Sequence, residues 1–323
     1  MVDELPVVDL ADYLRGTPAS RRRAVELAAR AGERIGFLLL RGHGLDPALL
    51  ARVRQVSATF FAADEATKLA YHLPEGSRGY TPMNTESLAA TADFTEGSPP
   101  DIKEAFAIGA VDVPEHAAPF ADAQRVGWPE RPAGFQAAWL AYYRAVRVVA
   151  GQVMDLFADA LGVPPAFFAA KLDRGPDCLR VVEYPEQAVS PPGGALRAGA
   201  HTDFGVLTLL SSDDAPGGLQ VRLGNGEWFD VPRLPDAFTV NIGDLMAYWT
   251  NHRWISTVHR VVNPPAGVPG SRRQSVIFFH NPNVDAVIEP VPTCVGSREA
   301  APAPVIAGEW LRAKTHRQRA AAG

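Results

Sequence analysis

The chain has 323 residues, of which 47% are hydrophobic and 21% are charged, and its formal net charge is -5 at pH 7. A chain of this length and composition can bury a large core. The acidic balance, together with the absence of any long run of basic residues, argues against binding nucleic acid through its phosphates. The composition therefore favours a globular protein that acts on a small molecule.

The beginning of the chain, MVDELPVVDL, has no basic stretch followed by a long hydrophobic run, so no signal peptide is expected. No apolar run reaches the roughly 18 residues that a transmembrane helix needs. The two cysteines, Cys178 and Cys294, are expected to be free thiols, and they are too few for a thiolate zinc site. These features predict a cytoplasmic protein without membrane contact, and they leave its oligomeric state open.

The first 134 residues predict helices, short strands and long loops. Asp46 followed by Pro47 is typical of a helix start, because the carboxylate caps the helix and proline fits its first position. Residues 74–134 are rich in Gly, Pro, Asp and Ser, which indicates loops. The predicted elements are a helix over 20–35, a buried strand over 37–40, a helix after Asp46 and a short strand near 104–108.

The second half of the chain predicts a β-rich core. A long helix is predicted over 133–161, because apolar residues recur there in steps of three and four. Short β-rich runs with turn signals such as Asn225-Gly226 follow from residue 178 onwards, and a final helix is predicted over 306–317. Many short strands at near-regular spacing indicate an antiparallel sandwich or barrel. The predicted strands are 179–184, 205–210, 219–223, 228–231, 238–242, 258–262 and 274–279.

A histidine and a carboxylate lie two residues apart in Ala200-His201-Thr202-Asp203-Phe204. In an extended chain such residues point to the same side, so one strand end can present both groups to one metal ion. A chain with eight histidines contains such a pair by chance often enough that His201 and Asp203 alone are weak evidence.

A second histidine, His259, lies in the β-branched run Val258–Val262. Taken alone, it is more simply explained as a core histidine that hydrogen-bonds a backbone carbonyl. Together with His201 and Asp203, it completes two histidines and one carboxylate, the ligand set of non-haem Fe(II) oxygenases, which leaves coordination positions open. A structural zinc site would instead be closed by protein ligands.

Arg273 and Ser275 also lie two residues apart, at the start of a predicted strand. A guanidinium and a hydroxyl on one strand face can hold a carboxylate by charge-assisted hydrogen bonds. The alternative is a surface arginine beside a turn. Because Arg273 leads directly into the apolar run Val276–Phe279, we favour an arginine inside the sheet that needs an anion.

Several of these motifs, in this order and spacing, resemble the isopenicillin N synthase-like 2-oxoglutarate/Fe(II) dioxygenases. The core motifs are His201-Thr202-Asp203, Thr250–Trp254 leading into His259-Arg260-Val261, Arg273-Gln274-Ser275 and Phe278–Asn283. Leu5–Leu10, Gly36–Gly44 and Arg78-Gly79-Tyr80 resemble the family's N-terminal region. The resemblance covers most of the chain.

The resemblance implies a mainly β fold with flanking helices, built around a double-stranded β-helix core of the jelly-roll, or cupin-like, type. It implies one oxygenase domain over residues 1–323, with an N-terminal helix and strand region over 1–120 and the Fe(II)/2-oxoglutarate core over 175–285.

The resemblance also assigns site residues. It implies that His201, Asp203 and His259 bind Fe(II). It implies further that Arg273 and Ser275 bind the distal carboxylate of 2-oxoglutarate, and that Tyr184 lies near this cosubstrate. Many plant relatives carry asparagine two residues before that tyrosine, whereas this chain has Val182, so one hydrogen bond to the cosubstrate is not expected here.

The implied activity is the oxidation of a small-molecule substrate with O2 and 2-oxoglutarate as cosubstrates and with release of succinate and CO2. The substrate would be hydroxylated, desaturated or cyclised. Bacterial members act on amino acids, antibiotics, terpenoids and other secondary metabolites, so a role in secondary metabolism such as antibiotic biosynthesis is expected. Tyr80, Phe204, Phe279 and Arg197 are candidate substrate contacts, although such aromatic residues are more often core and such an arginine more often solvated.

Three other interpretations remain open at the level of sequence. Some relatives are oxidases that keep the Arg-x-Ser pair and use no 2-oxoglutarate. A jelly roll can also be a non-catalytic binding module, which predicts loss of a metal ligand or of the carboxylate clamp. A hydrolytic zinc site with the same three ligands would need a general base, and no H-E-x-x-H helix supplies one.

Overall fold

The computed structural model of the protein describes residues 4–73, 78–89, 99–113, 127–189, 191–296 and 301–320. The helices are α1 (Leu10–Arg15), α2 (Pro18–Arg34), α3 (Pro47–Phe61), α4 (Glu65–Leu69), α5 (Phe135–Leu161), α6 (Ala166–Leu172), α7 (Asp244–Trp249) and α8 (Ala307–Ala320). The strands are β1 (Val7–Asp9), β2 (Phe37–Arg41), β3 (Gly79–Thr81), β4 (Glu104–Ile108), β5 (Cys178–Tyr184), β6 (Ala198–His201), β7 (Leu207–Ser212), β8 (Gly218–Arg222), β9 (Trp228–Asp230), β10 (Phe238–Ile242), β11 (His259–Val262), β12 (Arg273–His280), β13 (Val287–Ile288) and β14 (Val305–Ile306).

Two sheets form the core. The larger sheet has the strand order β1-β2-β10-β7-β12-β5-β4-β3, and the smaller sheet has the order β6-β11-β8-β9. Neighbouring strands are antiparallel except for the parallel pair β1 and β2. A cavity lined by residues of both sheets lies between them. This arrangement confirms the jelly-roll core with flanking helices that the sequence predicts.

The two faces of the larger sheet have different neighbours, and the alternation along β5 shows this. Leu179 and Val181 are completely buried and belong to the core that the sheet forms with α5. Arg180 and Val182 point to the other face and line the cavity. Because side chains alternate along a strand, one face of this sheet supports the fold while the other supplies the site.

The strands predicted from residue 178 onwards are confirmed to within two residues at each end. The helix start at Asp46 is also confirmed, because its Oδ1 accepts a hydrogen bond of 2.9 Å from the backbone N–H of Ala48. The sequence did not indicate β6, which consists of small residues and a histidine, or the short α7. Both cysteines are free.

The N-terminal region is part of the larger sheet. Strand β2 pairs with β10, and β4 pairs with β5, so both edges of the central strands are extended by N-terminal residues. Among the residues that the structure describes, no helix is long and apolar enough to cross a membrane.

Helix α2 anchors the segment that leads into β11. The backbone N–H of Ile255 donates a 2.9 Å hydrogen bond to the carbonyl of Gly32. The completely buried indole of Trp254 lies directly over Gly32, and a Cβ atom at this position would come within 2.5 Å of the ring. The ring also meets Phe157 of α5 edge-on at 4.9 Å. Glycine therefore permits the close approach that positions the chain before His259.

We predict that Gly32→Ala lowers the free energy of unfolding by about 1–3 kcal/mol, because the added methyl group overpacks a rigid contact. Gly151→Ala is the matched control, since Gly151 also lies in a helix but has open space around its Cβ position. This control should gain up to about 1 kcal/mol from helix propensity. Urea unfolding of both variants measures the difference, and equal stabilisation by both substitutions would contradict the packing argument.

Candidate active site

Three side chains converge at the edge of the smaller sheet. His259 of β11 pairs in register with His201 of β6, so the two imidazole rings lie side by side with centroids 4.3 Å apart. Oδ1 of Asp203 lies 3.9 Å from Nε2 of His201 and 3.8 Å from Nε2 of His259. These ligand atoms all lie within 4.8 Å of one another, close enough to hold one metal ion.

Hydrogen bonds fix the orientation of both imidazoles. Nδ1 of His201 lies 2.7 Å from the carbonyl oxygen of Gly199, and Nδ1 of His259 lies 3.0 Å from that of Thr257. A carbonyl oxygen can only accept, so each Nδ1 carries a proton and Nε2 is the nitrogen of each ring that faces the other two side chains. Such contacts are typical of histidines that bind metals.

Asp203 is oriented in the same way. Its Oδ2 accepts hydrogen bonds from Nδ2 of Asn241, at 2.6 Å, and from Oγ1 of Thr208, at 2.7 Å. With Oδ2 occupied, Oδ1 is the oxygen that faces the histidines.

The turn after Asp203 rests on the start of α7. The carbonyl of Asp203 accepts a 2.7 Å hydrogen bond from the N–H of Asp244. Close contact is possible because Gly243 has no side chain, and a Cβ atom there would lie 2.3 Å from the carbonyl oxygen of Gly205. These contacts fix the backbone of the turn that carries the Asp203 carboxylate.

The electrostatic surroundings favour the protonation states that bind a divalent cation. Burial, assisted by the neighbouring His259, lowers the pKa of His201 to about 4. Burial alone would raise the pKa of Asp203, but the two histidines and the hydrogen bonds from Asn241 and Thr208 lower it overall. At neutral pH the site therefore offers a neutral imidazole and a carboxylate without first losing protons.

A cavity of about 240 Å³ opens above the three side chains. Most of its walls are apolar, and they come from both sheets. Helix α8 contributes Leu311 and Thr315 and thus borders the cavity at one side. The helix is held there because Nε1 of Trp310 donates to the carbonyl of Phe204 at 3.1 Å and Nζ of Lys314 lies 2.7 Å from Asp244.

One end of the cavity is formed where Tyr184 of β5 pairs in register with Arg273 of β12. Ser275 and Tyr184 line the cavity, and Arg273 lies one step further along the same strand face, 7% exposed. Nη1 of Arg273 donates to the carbonyl of Ala215 at 2.8 Å. Its buried Nε has no hydrogen-bond partner among the residues that the structure describes.

Positive charge exceeds negative charge at this end. Arg273 has one ion-pair contact within the described ranges, with Asp213 at 3.9 Å, and Arg54 lies at the same distance from that carboxylate. Arg197 is completely buried, 5.7 Å from the ring centroid of Tyr184. Burial lowers the pKa of Arg273, and burial together with the nearby Arg273 lowers the pKa of Arg197. This end can therefore accept an anion.

A second charged group lines the cavity near the middle of β5. Oε2 of Glu86 accepts a 2.6 Å hydrogen bond from Nη2 of Arg180 and lies 3.4 Å from Nζ of Lys103. Nζ of Lys103 also lies 2.7 Å from Oδ2 of Asp101. Burial opposes ionisation of Glu86, but Arg180 and Lys103 lower its pKa to about 2. These side chains form a fixed ionic cluster in the cavity wall, which we call the Glu86 cluster.

The candidate substrate contacts divide into two pairs. Phe204 and Phe279 line the cavity. Tyr80 does not, because it donates a 2.6 Å hydrogen bond to Glu104 and packs on the helix side of the sheet. Arg197 does not line it either, since its guanidinium donates to the backbone carbonyls of Pro216, at 2.7 Å, and Ser271. For these two residues the interpretation as substrate contacts does not fit the structure.

Sequence reasoning missed other cavity residues. Asn241 is the one amide in the strand Phe238–Ile242, and a lone amide in a mainly apolar run is a usable signal. Arg180 could have been found by counting back in steps of two from Tyr184, because inward-facing residues alternate. Glu86 and Lys103 lie outside regular periodic segments, and no local pattern indicates them.

Comparisons with known proteins agree with this geometry. Residues 176–282 match the family model of the 2OG-Fe(II) oxygenase superfamily, and residues 5–131 match the model described as non-haem dioxygenase in morphine synthesis N-terminal. Validamycin A dioxygenase of Streptomyces hygroscopicus subsp. limoneus is 31% identical, covering 97% of this chain and 86% of that protein. A 2-oxoglutarate-dependent dioxygenase of Monascus ruber is 35% identical, covering 89% of this chain and 87% of that protein.

A solved structure is also similar. It is the crystal structure of a full-length Neurospora crassa protein in complex with alpha-KG and thymine, with a TM-score of 0.83 and 30% sequence identity. The similarity covers 97% of this chain and 96% of that chain.

We predict that Asn241→Ala weakens the binding of Mn²⁺ by roughly 10- to 100-fold, because Oδ2 of Asp203 loses one of its two donors. Asn225→Ala, in an exposed turn, is the control and should bind the metal like the unmodified protein. Electron paramagnetic resonance of free Mn²⁺ measures both constants. An unchanged affinity in folded Asn241→Ala protein would show that this hydrogen bond does not position the carboxylate.

We also predict that Glu86 makes stability depend on acid pH. Its pKa is about 2 in the folded protein, against an ordinary value of 4.5, so its stabilisation is complete above pH 4.5 and is lost as pH falls towards 2. The full effect is about 3 kcal/mol. The stability difference between the unmodified protein and Glu86→Gln should therefore shrink between pH 7 and 3 in urea unfolding. A difference that does not change with pH would contradict this origin.

Proposed function

Because the chain belongs to the 2-oxoglutarate- and Fe(II)-dependent dioxygenases, a family of oxidoreductases, we propose that His201, Asp203 and His259 are its iron ligands. One observation carries this assignment. Each of the three side chains has its second polar atom engaged by protein, so Nε2, Oδ1 and Nε2 converge from one side. The other side of the metal position opens into the cavity.

The donor set fits iron in an open site. Two imidazoles and one carboxylate are the facial triad that leaves coordination positions for a cosubstrate and O2. When bound, iron with 2-oxoglutarate and O2 supplies the oxidising power for the reaction. The chain's own part is to orient the ligands through Gly199, Thr257 and Asn241 and to keep the metal face enclosed by apolar walls.

We assign the cosubstrate to the end of the cavity that Ser275 and Tyr184 line, where Arg273 is the next residue on the same strand face. The buried and unpartnered Nε of Arg273 supports this assignment, because a desolvated guanidinium needs an anion and the distal carboxylate of 2-oxoglutarate is one. Ser275 lies two residues further along the same strand face and can add a hydrogen bond. Val182 lines the cavity with an apolar side chain, so it offers the cosubstrate no hydrogen bond.

The substrate is a small molecule that occupies the part of the cavity lined by Phe204, Phe279 and α8. Relatives support this size class, since one is named for validamycin A and one neighbouring structure holds thymine. The walls are mainly apolar, which suits positioning an unactivated C–H bond near the metal and excluding water from it. We propose that this bond is oxidised, with conversion of 2-oxoglutarate to succinate and CO2.

We predict that Fe(II)-loaded protein converts 2-oxoglutarate and O2 to succinate, and that Asp203→Ala abolishes this turnover and weakens iron binding. Arg273→Ala should raise the 2-oxoglutarate concentration for half-maximal conversion by roughly 10- to 100-fold, the worth of a charge-assisted hydrogen bond. Arg260→Ala is the matched control, because Arg260 follows His259 but its guanidinium lies 3.9 Å from the ring centroid of Trp228, outside the cavity.

The same assay separates the alternatives. Oxygen uptake without any 2-oxoglutarate requirement would favour an oxidase over our assignment. Absence of the weak visible band on anaerobic addition of Fe(II) and 2-oxoglutarate would favour a non-catalytic module. Full activity of Asp203→Ala would contradict the assignment of Asp203 as an iron ligand.

A further inference from the structure

The Glu86 cluster lies in the cavity but apart from the residues assigned to the cosubstrate. Arg180 lies four residues before Tyr184 on the same face of β5, which corresponds to roughly 13 Å along a strand. Its register partner in β12 is Ile277, whereas the partner of Tyr184 is Arg273. The sheet therefore carries Arg180 and Arg273 at separate positions along the cavity, and the cosubstrate accounts only for Arg273.

The cluster is held rigidly against the strand that carries His201. Oδ1 of Asp101 accepts a 2.8 Å hydrogen bond from the N–H of Gly199, and its Oδ2 lies 2.7 Å from Lys103. Asp101 and Lys103 are only 2% and 4% exposed. Lys103 in turn lies 3.4 Å from Glu86, so a chain of contacts links β6 to the side chain of Arg180.

Stability alone does not require this arrangement. The partners of Glu86 favour its ionised form, but apolar residues of similar volume in place of a whole buried ion pair often serve stability equally well. The side chains of Arg180 and Glu86 remain 17% and 23% exposed, and both line the cavity. In a cavity with mainly apolar walls, a few fixed polar groups determine how a ligand is oriented.

The cluster has hydrogen-bond donors that remain available to a ligand, and these belong to Arg180. Glu86 already faces two cations, and Lys103 already faces two carboxylates. Arg180 uses only Nη2 in hydrogen bonds with the described residues, which leaves donors of a forked guanidinium available. A cationic ligand group would be repelled by Arg180 and Lys103, whereas a carboxylate matches the guanidinium in charge and in geometry.

We propose that the primary substrate carries a carboxylate that binds Arg180, and that Glu86 and Lys103 hold the guanidinium in position for it. This inference rests on the proposed function, because it names the substrate class of the same cavity. The carboxylate fixes one end of the substrate at Arg180, and the remaining apolar part extends along the cavity to the metal position.

The test uses matched probes. Benzoate, hexanoate and 3-phenylpropanoate, each paired with its primary amide and with the corresponding primary amine, are titrated calorimetrically into protein loaded with Mn²⁺ and saturated with 2-oxoglutarate. Saturation keeps the acids from the Arg273 end. We expect at least one acid to bind at least about tenfold more tightly than its amide, and the amines to bind more weakly than the amides.

Variants assign the preference to one residue. Arg180→Gln should reduce the preference for acid over amide to about twofold or less and leave amide binding unchanged, while Arg180→Lys should retain part of it because the charge remains. Arg144→Gln removes an exposed arginine that pairs with Asp112 on the outside of α5 and should retain the full preference. Thermal unfolding verifies that each variant is folded.

The outcomes are distinct. Acids that bind no better than amides, amines that bind best, no acid that binds, or an acid preference that persists in Arg180→Gln would each overturn the carboxylate proposal. The binding of Mn²⁺ and 2-oxoglutarate is measured first, without any probe. Loss of that binding would contradict the proposed function, whereas intact binding without an acid preference would contradict only the substrate class.

Discussion

The site depends above all on the antiparallel pairing of β6 with β11. This pairing sets His201 opposite His259, and the turn after β6 brings Asp203 to the same point. Because side chains alternate along a strand, a slip of one residue would turn one histidine to the outer face. The pairing of β11 with β8, and the packing of Trp254 on Gly32 just before β11, restrict that slip.

In the larger sheet, the alternation of side chains separates the hydrophobic core from the cavity wall. Residues of β5 and β12 that point away from the cavity form the apolar core with α5, and the residues between them form the cavity wall. The positions of Tyr184 and Arg180 on one strand therefore define two ends of a single ligand space. Because both residues lie on β5, the strand sets their separation, which suits a reaction that must align two small molecules.

Most charged side chains around this cavity have polar partners close by. The carboxylate of Asp203 is held by Asn241 and Thr208, and the Glu86 cluster holds its own cations. Arg273 and Arg197 differ, because the Nε of each is buried without a hydrogen-bond partner in the described part of the chain. In a low-dielectric surrounding, unpaired charge is costly, so the place where pairing is incomplete is the place where a charged ligand stabilises the protein most.

The sequence by itself determined the β-rich core, most strand positions and the residues of the three principal motifs, because these depend on periodicity and on residue spacing within single strands. It could not determine which face the short strand containing Tyr80 presents, or that Arg197 is buried, since both depend on what packs from outside. Nor could it join Glu86, Lys103 and Arg180, which come from separate segments. Only the pairing of β4 with β5 and the closing of the two sheets over one cavity decided that they meet, because long-range contacts leave no pattern in local sequence.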